Sequence, residues 1–325
     1  MERSSQITDV SGIRVGHWTD LEAATGCTVI LTEPGAVAGV DVRGDSPGTR
    51  ETDLLKLTGR VKEVQALLLG GGSAFGLAAA DGVMKYLEDH SAGFSVGHAV
   101  IPIVPSAILF DLNIGNEAVR PTLTSGYEAC RAAVSGLFAV GNVGAGTGAT
   151  VAKTSGVKCA IKSGLGSSSI RLKNGIVVGS LMVVNAIGSI HDPETGALVA
   201  GPRNAKGIMA SSLDDLVTGQ SEYVVDVGGN TTIGVLATNA DLSEKEVSHM
   251  ATVGHDGLAM AVRPAHLAGD GDTIFSLATG HLGKTVGITE YNQILAAGVV
   301  CTFRAILNAV VNAESLAGYP SVKDV

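Results

Sequence analysis

Four short stretches of this chain carry side chains that can do chemistry. In the first, Gly229-Asn230-Thr231-Thr232, a threonine hydroxyl follows an asparagine carbonyl. Attack of that hydroxyl on the carbonyl, then hydrolysis of the ester, would leave Thr231 with a free α-amine. Such an amine has a reference pKa of about 7.7–8.0, so it can act as base for the hydroxyl of its own residue near neutral pH. The same residues also suit a hairpin turn, because Asn and Gly favour turn positions, and spacing alone favours the turn.

The second stretch, Asp270-Gly271-Asp272, sets two carboxylates at i and i+2. They share one face if the segment is already strand, and there they can orient and polarise a nucleophile; the alternative is a turn ahead of the strand Thr273–Ala278. The third is Lys153, a cation in a glycine-rich run, or an ordinary surface lysine. The fourth is Asn185, which interrupts an apolar strand. A buried amide must be hydrogen-bonded, so Asn185 is a polar plug or an oxyanion donor.

Other patterns fail on chemistry. Gly144-Ala145-Gly146-Thr147-Gly148-Ala149 fits a dinucleotide turn, but no acid follows before Asp192 to hold a ribose. Ala152 stands where a phosphate loop needs glycine. These glycines are either turn formers or amide donors to an oxyanion beside Lys153. Gly71-Gly72-Ser73-Ala74-Phe75 lacks the second glycine of a serine-hydrolase elbow. His17, His98, His255 and His266 have no metal-ligand spacing and read as structural, so no metal and no cofactor is expected.

Strands and helices must position these groups. Apolar runs predict strands at Ile13–Trp18, Thr28–Thr32, Val37–Val42, Val64–Leu69, Ile176–Ile187, Val224–Val227, Thr232–Ala237 and Thr273–Ala278. Helical spacing covers Phe75 to Glu88 and Asn292 to Leu316, and Ser243-Glu244-Lys245-Glu246 is a capping box opening another helix toward Met260. This is a layered α/β pattern, taken as one domain over residues 1–325. With 325 residues, 45% of them hydrophobic and 16% charged, a large core is available. The formal net charge of −9, without a dense Lys/Arg cluster, argues against a nucleic-acid partner. No signal peptide or uninterrupted apolar 18-mer is present, so no membrane partner and a cytoplasmic location are expected. The four separated cysteines read as buried apolar residues.

Together with Ile7-Thr8-Asp9-Val10 through Gly16-His17-Trp18-Thr19-Asp20, these stretches resemble the L-aminopeptidase/D-esterase family, which includes β-aminopeptidases and nylon-oligomer hydrolases. The resemblance runs on through Leu69-Gly70-Gly71-Gly72-Ser73-Ala74-Phe75-Gly76-Leu77, Ile101-Pro102-Ile103-Val104-Pro105, Leu109-Phe110-Asp111-Leu112, Ala237-Thr238-Asn239-Ala240 and Arg263-Pro264-Ala265-His266, always in the same order. It implies a four-layer αββα sandwich like that of N-terminal-nucleophile hydrolases, with different strand connectivity. It also implies self-cleavage between Asn230 and Thr231 into fragments 1–230 and 231–325.

By that resemblance Thr231 is the nucleophile of an acyl-enzyme mechanism, and Lys153, Asn185, Asp270 and Asp272 are the catalytic polar groups around it. Gly72, Gly146 and Phe110 fall on the substrate side, Phe110 standing where some members carry a pocket tyrosine. The Ser-type members use serine with a Ser/Glu pair, so Thr231 with two aspartates is closer to the nylon-oligomer hydrolase branch. The implied partners are a small-molecule amide or peptide substrate and further copies of the chain, as a tetramer of cleaved protomers. Two other functions remain open: an acyltransferase of the ornithine acetyltransferase type, and an uncleaved, non-catalytic binding protein.

Overall fold

The computed structural model describes residues 5–57, 59, 61–219 and 229–325, so the strand expected at Val224–Val227 lies outside the described residues. In chain order the main elements are β1 (Arg14–Asp20), β2 (Thr25–Val42), β3 (Gly48–Arg50), β4 (Glu63–Gly70), α1 (Ala79–Asp89), β5 (Ser106–Ile108) and α2 (Leu123–Arg131). They continue with β6 (Leu165–Arg171), β7 (Val177–Asn185), β8 (Thr231–Thr238), α3 (Glu244–Ala261), β9 (Thr273–Ala278) and α4 (Ile288–Val311). The strands pair in the order β6-β7-β8-β9-β2-β4-β5-β3, with β1 also on β2.

One strand joins two layers. Glu33-Pro34-Gly35 reads in sequence as a turn between two strands, yet β2 runs through it, with its register against β4 shifting between Leu31 and Ala36. Proline cannot donate to the ladder, so pairing lapses there and the strand bends instead of ending. Its first part pairs with β1 and β4, and its second part pairs with β9.

Alternation along the strands then defines the layers. Leu181, Val183, Ile233, Val235, Phe275 and Leu277 face Ile30, Leu67 and Leu69 across a buried interior. The opposite face of β2 and β4 packs Val29, Leu31, Ala66 and Leu68 on α1 and α2. The outer face of β7, β8 and β9 packs on α3 and α4 through Met182, Val184, Ile274, Leu258 and Ile306. Helices, two sheet layers and helices again give the expected αββα arrangement. The capping box at Ser243 forms, with Ser243 N–H donating to Glu246 Oε2 at 2.9 Å. Helix α4 is, among the described residues, the one long and apolar enough to cross a membrane, but it packs with 56% of its most apolar window buried.

Helix α2 was not evident in sequence, because Gly126 interrupts its pattern. That glycine makes the α1–α2 contact: a Cβ there would lie 1.9 Å from the Ala79 carbonyl oxygen. Alanine in a helix interior ordinarily gains about 0.5–1 kcal/mol over glycine, while forcing extra volume into a packed contact costs about 1–3 kcal/mol. The contact wins, so Gly126→Ala is expected to lower the denaturant midpoint and remove about 1 kcal/mol of stability. A raised midpoint would contradict this account of the helix pair.

Candidate functional site

The register of three strands gathers the site. Thr231 is the first residue of β8, Asn185 is the last of β7, and the two are direct cross-strand partners. Odd-numbered residues of both strands face the interior, so these two side chains do as well. Strands β8 and β9 run parallel, and a bridge pairs Asn230 with Asp270 just before they begin. Asp270-Gly271-Asp272 is thereby laid alongside Asn230-Thr231-Thr232.

Each backbone group of this junction is held. The Asn230 carbonyl oxygen accepts from the Gly271 N–H at 2.9 Å and from the Thr231 hydroxyl at 2.5 Å. Asp272 Oδ1 accepts from the Thr232 N–H at 2.6 Å, and Asp270 Oδ2 accepts from the Leu267 N–H at 2.7 Å. A strap, residues 43–47, closes over the acids: Arg43 N–H donates to the Asp272 carbonyl and Ser46 N–H to that of Asp270. Glycine is required at 271, because a Cβ would lie 2.8 Å from both the Thr231 hydroxyl and the Ser46 carbonyl.

On the other side stands Lys153, aimed inward by a left-handed Ala152 with φ of 62°. Its ammonium donates to Asn185 Oδ1 at 2.8 Å, to the Asn185 carbonyl at 3.0 Å and to the Gly229 carbonyl at 3.2 Å. Asn185 Nδ2 donates to the carbonyls of Phe110 at 3.1 Å and Gly229 at 3.3 Å. Its Oδ1 also takes the Thr150 N–H. Lys153, Asn185, Thr231, Asp270 and Asp272 are thus brought together, all buried.

The charges here titrate near neutrality. Burial lowers Lys153 to about 7, with Asp270 opposing the fall, and burial followed by the neighbouring Asp272 raises Asp270 to about 7. Three carbonyl acceptors match the three hydrogens of an ammonium and favour the charged lysine. A carboxylate and an amine poised this way are suited to moving a proton at neutral pH.

The three remaining positions lie in the surrounding wall. Phe110 meets Asn185 through its carbonyl. The Gly72 amide donates to Asp111 Oδ1 at 2.6 Å, and the Gly146 amide donates to the Val143 carbonyl inside a short turn. Both of those amides are therefore engaged within the protein. The turn is held from beneath by Lys162. It is buried and donates to the carbonyls of Gly146, Ala149 and Ser163. The Gly271 amide has no signature in sequence, since any residue but proline has one, and His266, read there as an ordinary structural histidine, contacts Asp272.

Among known proteins, the model of peptidase family S58 matches residues 5–323. The chain belongs to peptidase family S58. An uncharacterized aminopeptidase of Mycobacterium bovis is 43% identical over 99% of this chain and 98% of its own length. A 6-aminohexanoate-oligomer endohydrolase of Kocuria sp. is 31% identical over 84% of this chain and 75% of its own. The solved L-aminopeptidase D-Ala-esterase/amidase of Ochrobactrum anthropi, described as a variant of the Ntn hydrolase fold, superposes with a TM-score of 0.74 at 18% identity, covering 98% of this chain and 90% of that one. The S58 chain is accordingly an amide hydrolase of the aminopeptidase type with an Ntn-like fold.

The raised carboxyl also has a stability consequence. A carboxyl whose pKa rises on folding favours the fold when protonated. That contribution is full below the unfolded value of 3.8 and is lost as pH rises to about 7. Asp270→Asn removes the buried charge and keeps an oxygen for the Leu267 N–H. Its melting temperature relative to wild type is expected to be higher at pH 8 than at pH 5, measured by calorimetry at both; a difference that does not change with pH would contradict the assignment.

Proposed function

We propose that this S58 hydrolase cuts itself between Asn230 and Thr231, yielding fragments 1–230 and 231–325, and that the freed Thr231 is the nucleophile toward substrate amides. The observation that carries this is the convergence of two donors, the Thr231 hydroxyl and the Gly271 amide, on the single carbonyl oxygen of Asn230 in a buried setting. In self-cleavage Thr231 Oγ1 bonds to the Asn230 carbonyl carbon, the Gly271 N–H steadies the oxyanion, and the hydroxyl proton passes to the Thr231 nitrogen as the C–N bond breaks. Water then hydrolyses the ester, leaving an Asn230 carboxylate and a Thr231 amine.

The intact chain cannot serve substrates in this way, because Thr231 is only 3% exposed. The Gly229 carbonyl takes one donor each from Lys153 and Asn185. Withdrawal of the new carboxyl end would free both for a substrate oxyanion. In turnover the α-amine of Thr231 is the base, Asp270 and Asp272 orient it, Lys153 tunes it by charge, and an acyl-threonine ester forms and is hydrolysed. The names of the relatives, an aminopeptidase and a hydrolase of 6-aminohexanoate oligomers, support short peptides or linear amino-acid oligomer amides as substrates.

Electrophoresis with N-terminal sequencing of the purified protein tests the first step. A small fragment beginning Thr-Thr-Ile-Gly is expected, and Thr231→Ala should stay intact at 32.8 kDa. A cut at another bond, or a fragment from Thr231→Ala, refutes the reading. For the second step, Asn185→Leu is expected to reduce kcat on a short peptide or a 6-aminohexanoate oligomer by about 100-fold or more, as loss of one oxyanion donor does. Unchanged kcat would remove Asn185 from the mechanism.

A further inference from the structure

Behind Asp272 lies a histidine whose geometry is specific. His266 adopts a left-handed backbone with φ of 60°. That conformation directs two of its donors to one atom: Nδ1 lies 2.8 Å and the backbone N–H 3.2 Å from Asp272 Oδ2. The other carboxylate oxygen, Oδ1, receives the Thr232 N–H. Asp272 is thus gripped at one oxygen by His266 and grips with the other the residue adjoining Thr231. The groups facing His266 are His255 from α3, and Asp270 and Asp272 from its own loop, with Asp41 of β2 beyond His255 and Lys153 beyond Asp270.

The state of the imidazole follows from its surroundings. Its Nε2 is buried and has no hydrogen-bond partner among the described residues. The ring of His255 stands edge-on, with centroids 4.9 Å apart. A carboxylate oxygen can only accept, so the Nδ1 facing Asp272 Oδ2 carries its hydrogen and the contact is a directed donor.

We propose that His266 is a positioning residue for the hydrolysis: its side chain and backbone together fix Asp272 in the rotamer that seats Thr231. The proposal rests on Thr231 being the nucleophile. Substitution at 266 must respect the backbone, since positive φ is tolerated by Gly, Asn and Asp and strained for most other residues. This gives a matched set. His266→Asn keeps a donor, His266→Gly has no side chain, and His266→Asp is isosteric with the asparagine but presents an acceptor.

The test compares the three variants, as cleaved protein, with cleaved wild type and with intact Thr231→Ala, using the short peptide or oligomer amide that wild type cleaves fastest, with melting curves alongside. For His266→Gly, kcat should fall about 10-fold or more with KM little changed, as misplacement of a reacting group does. His266→Asn, which restores a side-chain donor, should recover most of kcat. If the glycine variant does not fold, the isosteric pair decides: asparagine active and aspartate impaired supports the proposal, and equal activities overturn it. A folded His266→Gly with wild-type kcat also overturns it, as does an asparagine variant no better than glycine. Activity in Thr231→Ala instead sinks the nucleophile assignment on which the proposal stands.

Discussion

A slip of β8 by one residue against β7 would turn Thr231 outward and put Thr232 in its place. Side chains alternate strictly along a strand, so the site exists only in this register. What enforces it is the interior: Ile233, Val235 and Ala237 share the face of Thr231 and are buried in the core between the layers. Hydrophobic packing far from the Asn230 carbonyl therefore decides which hydroxyl is presented to it. Parallel pairing of β8 with β9 adds the second coordinate, setting the Gly271 amide on the Asn230 carbonyl.

The price of such a site is buried charge. Lys153 and Asp270 are both held inside the sandwich, where isolated ions are disfavoured. The lysine is offset by three carbonyls and the aspartate by a backbone amide. Lys162 and Asp111 repeat the arrangement beneath the glycine turn, where burial, opposed by each other's charge, brings Lys162 down to about 7 and Asp111 up to about 6. One pair lies beside the Asn230–Thr231 bond and the other lies beneath the glycine turn. An interior built from glycines lets main-chain carbonyls come close enough to serve as the counter-dipoles.

Much of this was legible in sequence where residue type is itself the signal. Asp270-Gly271-Asp272, Lys153, Asn185 and the Asn230–Thr231 bond stood out because charged, amide and hydroxyl side chains interrupt apolar or glycine-rich runs, and the structure gathers them in one place. Strands β4, β8 and β9 fall within about a residue of their apolar runs. Three kinds of feature were not legible. Main-chain donors such as Gly271 N–H have no residue signature. Strand β6, reading Leu165-Gly166-Ser167-Ser168-Ser169-Ile170-Arg171, has too few apolar residues to announce itself and is strand because β7 pairs with it along its whole length. His266 and Lys162 owe their roles to partners that only the fold brings to them: spacing left His266 an ordinary structural residue, and nothing local marks Lys162 as buried beneath a turn.

The strand order has a last consequence for the molecule as an object. Strand β7 precedes the Asn230–Thr231 bond and β8 follows it; β9 follows it too, yet its other neighbour is β2 from the start of the chain. Two complete hydrogen-bonded ladders, β7 with β8 and β9 with β2, would hold the pieces together across a nick at that bond, and α4 would remain clasped on β6 and β7. The nicked pair would be knitted like the teeth of a closed zipper, able to part only by unravelling the whole sheet. Scission here would change the covalent count of chains without changing the number of bodies in solution, and the reaction would be remembered by the protein for as long as it stayed folded.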